Sequence, residues 1–257
     1  MRMAEAPKGA AERLAYLLPF IASGPARFGL GDLAERAGLP QSSVHRLLKV
    51  MLRFGLVERG TGQSYRPGRE LQRMASQIVS RFDLVRSARP MLQQLVDSWQ
   101  ETAVLCTYSP VSRKAIIADV VHTPHPLRYA VERDGEITLP WGSLGRAVLA
   151  YLPRGEQEAI IRQSNAGPLT GRPRSKRAEL DAALESIRAE GVSRYYDPQI
   201  DIAGIAGPIF GPEGEILGCV GVTMPSRRYQ LHLADDLASA VGKVARDLTE
   251  LASMQGA

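Results

Sequence analysis

A chain of 257 residues, 44% hydrophobic and 23% charged, is long enough for two domains with separate cores and is ordinary for a globular protein. No run approaches the roughly 18 apolar residues of a transmembrane helix and no apolar leader follows the charged start, so a cytoplasmic protein without a membrane partner is expected. The net charge of +5 is uneven: residues 1–80 carry 12 Lys and Arg against 6 Asp and Glu, and the other 177 carry 20 against 21. A polyanion partner is therefore expected for the first part only.

The first predicted helix covers 10–22, with Leu14, Leu17, Leu18 and Ile21 on one stripe. Gly24-Pro25 ends it, and a short extended piece at 27–30 leads to a second helix, "GDLAERAG", at 31–38. "LP" at 39–40 then supplies a turn and a proline suited to a helix start. In the third helix Val44, Leu47, Leu48 and Met51 form one face; Ser42, His45, Arg46, Lys49 and Arg53 form the other. Two short extended runs around Gly60 and Gly62 read as a hairpin. Three helices and a hairpin make a winged helix-turn-helix. Ala34, Gly38 and Val44 fit it as the small crossing residue, the positive-φ turn and the apolar plug.

Residues 69–100 carry apolar positions at 3/4 spacing (Leu71, Met74, Ile78, Val85, Ala88, Leu92, Leu95, Trp99). Pro90 suits only a helix start or a kink, so two helices should meet in the 80s and link the domains. This divides the chain into a DNA-binding domain at 1–68, a helical linker at 69–84 and a second domain at 85–257. Strands are expected at 102–109, 114–121, 127–131, 204–210 and 216–224, and helices at 143–152, 155–163, 176–190 and 233–253. The last helix has Leu237, Val241, Val244, Leu248 and Leu251 on one seam. The fold class is α/β of the α+β kind, the second domain being a mixed, mainly antiparallel sheet flanked by helices. Cys106 and Cys219 form no CxxC and sit in strand-like runs, so buried thiols are expected. No P-loop, GxGxxG or metal-ligand cluster is present, and no cofactor is expected.

The third helix lacks acidic residues from 41 to 56. An α-helix fits the major groove of double-stranded DNA, where Arg46 suits a guanine edge and Gln41 an adenine. Ser42, Ser43 and His45 are candidates for base edges or phosphate, and Lys49 and Arg53 suit flanking phosphates. Arg59, Tyr65 and Arg66 in the hairpin are expected at backbone or minor groove.

The stretch "LGDLAERAGLPQSSVHRLL" resembles the DNA-binding half of IclR-type bacterial transcription regulators, whose third helix typically reads LPxSTVxRLL. "RSARPMLQQL", "GSLGRAVLAYLP" (142–153) and "GIAGPIFGPEGEILGCVGVT" (204–223) continue the likeness, which spans about residues 10 to 252. The resemblance implies a winged helix-turn-helix plus a GAF-like effector-binding domain, assembled as a homodimer or dimer of dimers on operator DNA. This chain departs from the family pattern at several places, among them close to the positions of Arg194 or Tyr195, where the family has an acid, and at those of Gly221 and Thr223, where it has small polar residues. Arg146 stands for a usual Lys, "SRYYDPQID" (193–201) for an acidic run, Gly204 for a frequent Cys and Gly211 for Asp or Asn.

Residues 142–145 open a helix whose free N–H groups suit an anion. With the resemblance, Trp141, Ser143, Leu144, Gly145, Arg194, Tyr195, Gly204, Gly221 and Thr223 become the candidate effector site, for a small organic acid. Arg194 and Thr223 complete the cradle in this reading, and Trp141 and Tyr195 form apolar walls. Two other functions compete: a serine hydrolase using Ser143, because "WGSLG" is one glycine short of G-x-S-x-G with His232 downstream, and a DNA-binding module whose second domain only dimerises. "HTPH" (122–125) and "GRPRSKR" (171–177), the latter with Ser175 as a helix cap, read as solvated loops.

Overall fold

The computed structural model describes residues 7, 9–81, 84–129, 131–164, 166–168, 171 and 176–255. The chain forms two compact units, Met1–Phe82 and Asp83–Ala257.

In the first unit, α1 (Ala10–Ala22), α2 (Leu30–Ala37) and α3 (Gln41–Arg53) precede a hairpin of β1 (Val57–Arg59) and β2 (Tyr65–Pro67), and α4 (Arg69–Arg81) follows. Gly38 adopts φ +65°, as the short inter-helix turn requires. The Leu39 N–H then reaches back to the Ala34 carbonyl at 3.0 Å, satisfying the end of α2. Ala34 lies at the crossing, and Val44, Leu47, Leu48 and Met51 are all buried against α1 residues Leu17, Phe20 and Ile21 in one cluster. The extended piece before α2 acts as a third wing strand: Phe28 and Tyr65 exchange backbone hydrogen bonds of 3.0 and 2.8 Å, with rings stacked 6.2 Å apart. Gly68 closes the base of the wing, since a Cβ there would lie 2.0 Å from the Gly55 carbonyl oxygen.

The second unit begins with α5 (Leu84–Trp99) and continues β3 (Thr102–Ser109), β4 (Lys114–Val121), β5 (Glu136–Ile137), α6 (Gly142–Leu149), α7 (Arg154–Gln163), α8 (Arg177–Glu190), β6 (Ser193–Asp197), β7 (Ile202–Phe210), β8 (Ile216–Pro225) and α9 (Ala234–Gln255). The strands form one sheet in the order β5-β4-β3-β8-β7-β6, and every adjacent pair is antiparallel. The expected mixed sheet is therefore wholly antiparallel among the described residues. Helices α5 and α9 cover one face over Leu105, Ile205 and Val222. Helices α6, α7 and α8 cover the other over Val104, Ala206 and Cys219.

The sequence expectations fail at identifiable places. Residues 127–129 and 131 form no strand, and residue 130 lies outside the described residues: Pro126 precedes the run, Leu127 is 68% exposed, and only Tyr129 and Val131 are half-buried. Edge strand β6 went unrecognised because its alternation is carried by Ser193, Tyr195 and Asp197 against Arg194 and Tyr196, which is not an apolar pattern. Pro90 lies seven residues into α5 rather than at its first turn, with its ring toward solvent. Val85 is exposed although it keeps the helical spacing. The Ile78 side chain and residues 172–175, including Ser175, lie outside the described residues; the N-cap of α8 is Lys176. Cys106 and Cys219 are cross-strand neighbours, fully buried and unbridged.

Asp119 of β4 is fully buried and accepts from the guanidinium groups of Arg89 (2.7 Å) and Arg133. Burial alone would raise its pKa, but these bonds and the Val120 N–H outweigh burial and hold it below the usual carboxylate range. A depressed folded-state pKa contributes stability above the unfolded value, and that stability is lost as pH falls through the folded one. Asp119→Asn should accordingly flatten the acid limb of the stability–pH curve measured by urea unfolding. Leu48→Ala should destabilise the protein by about 2–5 kcal/mol through its cavity. Arg46→Ala, on the exposed face of the same helix, should change stability by less than about 0.5 kcal/mol.

Candidate functional site

Burying Val44, Leu47, Leu48 and Met51 turns the opposite face of α3 to solvent. Gln41, Ser42, His45, Arg46, Lys49 and Arg53 are all exposed there. Among the described residues no carboxylate pairs with Arg46, Lys49 or Arg53, although arginines elsewhere in this unit are paired with Glu58 and Glu70. Unpaired cations on a rigid helix are available to a polyanion without first breaking an ion pair. Ser43 does not belong to this face. It is 8% exposed, and its hydroxyl accepts from Arg13 Nη1 at 3.3 Å, tying α3 to α1.

In the wing, Arg59 is exposed, with its guanidinium 5.5 Å from the Tyr65 ring centroid. Tyr65 itself is 5% exposed and packed on Phe28, so it supports the wing from inside and cannot touch a nucleic acid as expected. Arg66 is exposed but engaged by Glu58 at 2.8 Å. Arg27 was missed by sequence reasoning. Its guanidinium donates to Thr61 Oγ1 at 2.9 Å, placing a cation beside the wing tip. A lone arginine in an irregular stretch gives no periodic signal by which to find it.

In the second unit the strand register arranges the candidate residues in rows. Tyr195, Gly204 and Thr223 are successive cross-strand partners on the α6 side, and Ser193, Ala206 and Gly221 form the neighbouring row. Gly204 is needed because the Ser143 hydroxyl sits directly over it: a Cβ there would lie 2.8 Å from Ser143 Oγ and 2.7 Å from the Val222 carbonyl oxygen. Gly145 likewise lies against the Thr138 and Leu139 carbonyls, which seats the N-terminal turn of α6 closely. Trp141 is the α6 N-cap, and Gly142 enters the helix at φ +66°. Trp141, Ser143, Leu144, Gly145, Tyr195, Gly204 and Thr223 are thus brought to one end of one sheet face. Gly221 lies one row away under a packed backbone.

Arg194 does not join them. Adjacent residues of a strand point to opposite faces, so with Tyr195 toward α6, Arg194 points to the α9 side. There it pairs with Asp235 (2.8 Å) and Glu190 (3.2 Å). The cation on the α6 side is Arg146, which sequence reasoning noted only as a departure from the family pattern. Its Nε donates to the Pro140 carbonyl at 3.2 Å, and its guanidinium carbon stands 5.2 Å from the Tyr195 ring centroid. Burial lowers the Arg146 pKa, partly offset by Tyr195, and no carboxylate among the described residues pairs with it. Two buried polar atoms nearby also lack a protein partner: Trp141 Nε1 and, in the neighbouring row, Ser193 Oγ.

The hydrolase alternative has no geometry behind it. Ser143 is 5% exposed within α6, and no imidazole or carboxylate of the described residues bonds its hydroxyl. His122 and His125 are exposed in a loop, and no metal-ligating cluster occurs among the described residues. A cavity of about 460 Å³ opens on the α5–α9 side, lined by Trp99, Glu101, Met224, Arg228 and Leu237 among others. Glu101 and Arg228 neutralise each other there at 2.6 Å.

Comparison with known proteins matches residues 10–60 to the IclR helix-turn-helix domain and residues 76–250 to the bacterial transcriptional regulator IclR C-terminal domain. The HTH-type transcriptional regulator Rv1719 of Mycobacterium tuberculosis is 33% identical over 238 residues, covering 90% of this chain and 89% of the relative. A crystal structure of a putative IclR transcriptional regulator from Silicibacter superposes with a TM-score of 0.80 at 22% identity, covering 95% and 96% of the two chains. An IclR homologue from Microbacterium hydrocarbonoxydans, crystallised with 4-hydroxybenzoate, superposes with a TM-score of 0.71 at 20% identity, covering 94% and 100%.

The close seating of α6 on Gly204 is directly testable. Gly204→Ala should cost about 1–3 kcal/mol by overpacking, read as a lower thermal midpoint. An unchanged midpoint would mean that α6 is not seated on β7.

Proposed function

The chain belongs to the IclR family of bacterial transcriptional regulators, and from that premise we propose which residues of this member read DNA and what class of molecule it senses. It is a transcriptional regulator with an N-terminal helix-turn-helix domain and a C-terminal effector-binding domain. In this reading the protein works in the cytoplasm as a homodimer or dimer of dimers. Residues 1–68 bind the operator, 69–84 link, and 85–257 sense. Gln41, Ser42, His45 and Arg46 meet base edges in the major groove, while Lys49, Arg53, Arg59 and Arg27 meet phosphates. The observation carrying it is the exposed, acid-free face of α3 opposite a fully buried stripe.

The effector is a small organic acid held where α6 begins, between Ser143, Leu144, Gly145, Tyr195, Gly204 and Thr223. Free N–H groups at the start of a helix carry partial positive charge and favour a carboxylate. The bound acid controls transcription by binding two arrangements of the DNA-binding domains with different affinity.

A gel shift with the DNA upstream of the protein's own gene tests the DNA reading. If about six to ten phosphates are neutralised per dimer, affinity should fall by about 10³–10⁵ between 50 and 200 mM salt. Arg46→Ala should lose about 1–3 kcal/mol per recognition helix for the specific site while retaining nonspecific binding. Operator affinity equal to that of the wild type would refute the assignment.

A further inference from the structure

We propose that Arg146 is the counter-ion of the effector, and that it sets the ligand class as monocarboxylates with an apolar body. This rests on the reading of the α6 end of the sheet as the effector site. The guanidinium is partly buried, backed by the Tyr195 ring and bonded to a single neutral acceptor, the Pro140 carbonyl. A cation taken out of water without an anion is costly. The partly buried Arg228 of the same unit is neutralised by Glu101, and even the exposed Arg194 is held by Asp235 and Glu190. Arg146 is the exception among them. A carboxylate entering beside it gains a charge-assisted contact, often two in parallel, and removes an existing penalty.

The surroundings sharpen the class. Trp141 Nε1 and Ser193 Oγ, two of the buried polar atoms without a partner among the described residues, are an obligate donor and a hydroxyl able to donate, so each can serve an oxygen of the ligand. The other walls are the apolar or aromatic Trp141, Leu144 and Tyr195 and the neutral hydroxyls of Ser143 and Thr223, none of which is a second cation. A monoanion matches one uncompensated charge. A dicarboxylate would leave its second charge against these walls, and an amine would meet Arg146 with like charge.

The test uses the full-length protein and four probes measured by calorimetry: benzoate, propionate, the dicarboxylate phthalate and the neutral isostere benzamide. The wild type should bind benzoate at least about tenfold more tightly than benzamide or phthalate. Arg146→Met should lose that preference by about tenfold to a hundredfold; Arg146→Lys, which keeps the charge, should retain part of it; Arg194→Met, on the other sheet face, should leave it intact. Thermal unfolding of each variant shows whether it is folded, and Arg146→Lys carries the test if Arg146→Met is not. Wild-type protein that binds none of benzoate, propionate and phthalate would overturn the organic-acid reading together with this inference. Benzoate binding whose preference survives in Arg146→Met, or falls equally in Arg194→Met, would overturn the role of Arg146 alone. Equal affinity of the wild type for benzoate and phthalate would overturn the monocarboxylate class.

Discussion

The left-handed turn at Gly38 is the constraint from which the DNA-binding half of the molecule follows. With φ at +65°, the chain leaves α2 and enters α3 within a few residues, and only a small residue at Ala34 lets the two helices cross so closely. Val44 is then driven into the junction, which fixes the rotation of α3 about its own axis. Once that rotation is set, helical periodicity does the rest. Leu47, Leu48 and Met51 must be buried, and Arg46, Lys49 and Arg53 must face water. The exposed face of α3 is thus a consequence of core packing, and no carboxylate among the described residues pairs with its Arg46, Lys49 or Arg53. Ser43 shows the boundary, since one step around the helix it serves as an inter-helix tie to Arg13.

An analogous constraint of parity governs the second unit. Neighbouring strand residues face opposite ways, so the register that sets Tyr195 beside Gly204 and Thr223 commits Arg194 to the other side of the sheet. There the acidic start of α9 and the end of α8 absorb its charge. Arg146 reaches the α6 side from a helix instead. The cation on the α6 side is therefore a different arginine from the one expected.

These cases explain how much was legible in the sequence. Elements with strong apolar periodicity, such as α3, α9, β3 and β8, were readable almost to their ends, because one buried face imposes a repeat. The Ala34–Gly38–Val44 spacing was readable because each residue type has a steric reason. The short edge strand β6 was not, since an edge needs only one partner and tolerates alternating Tyr, Arg and Asp. The expected strand at 127–131 fails for another reason: its leading apolar residue, Leu127, is exposed, and residue type alone cannot distinguish an exposed run from a buried one. Pairings distant in sequence, such as Arg27 with Thr61 and Arg146 over Tyr195, leave no local pattern at all.

Entry of the α3 face into the major groove of operator DNA would shield the guanine edges exposed there. Methylation protection of guanine N7 atoms in the bound operator tests it most directly, because N7 lies in that groove. Two protected patches are expected on one face of the duplex, separated by whole helical turns if the protein binds as a dimer. Tight binding with no guanine N7 protected in an operator rich in guanine would contradict entry of α3 into the groove.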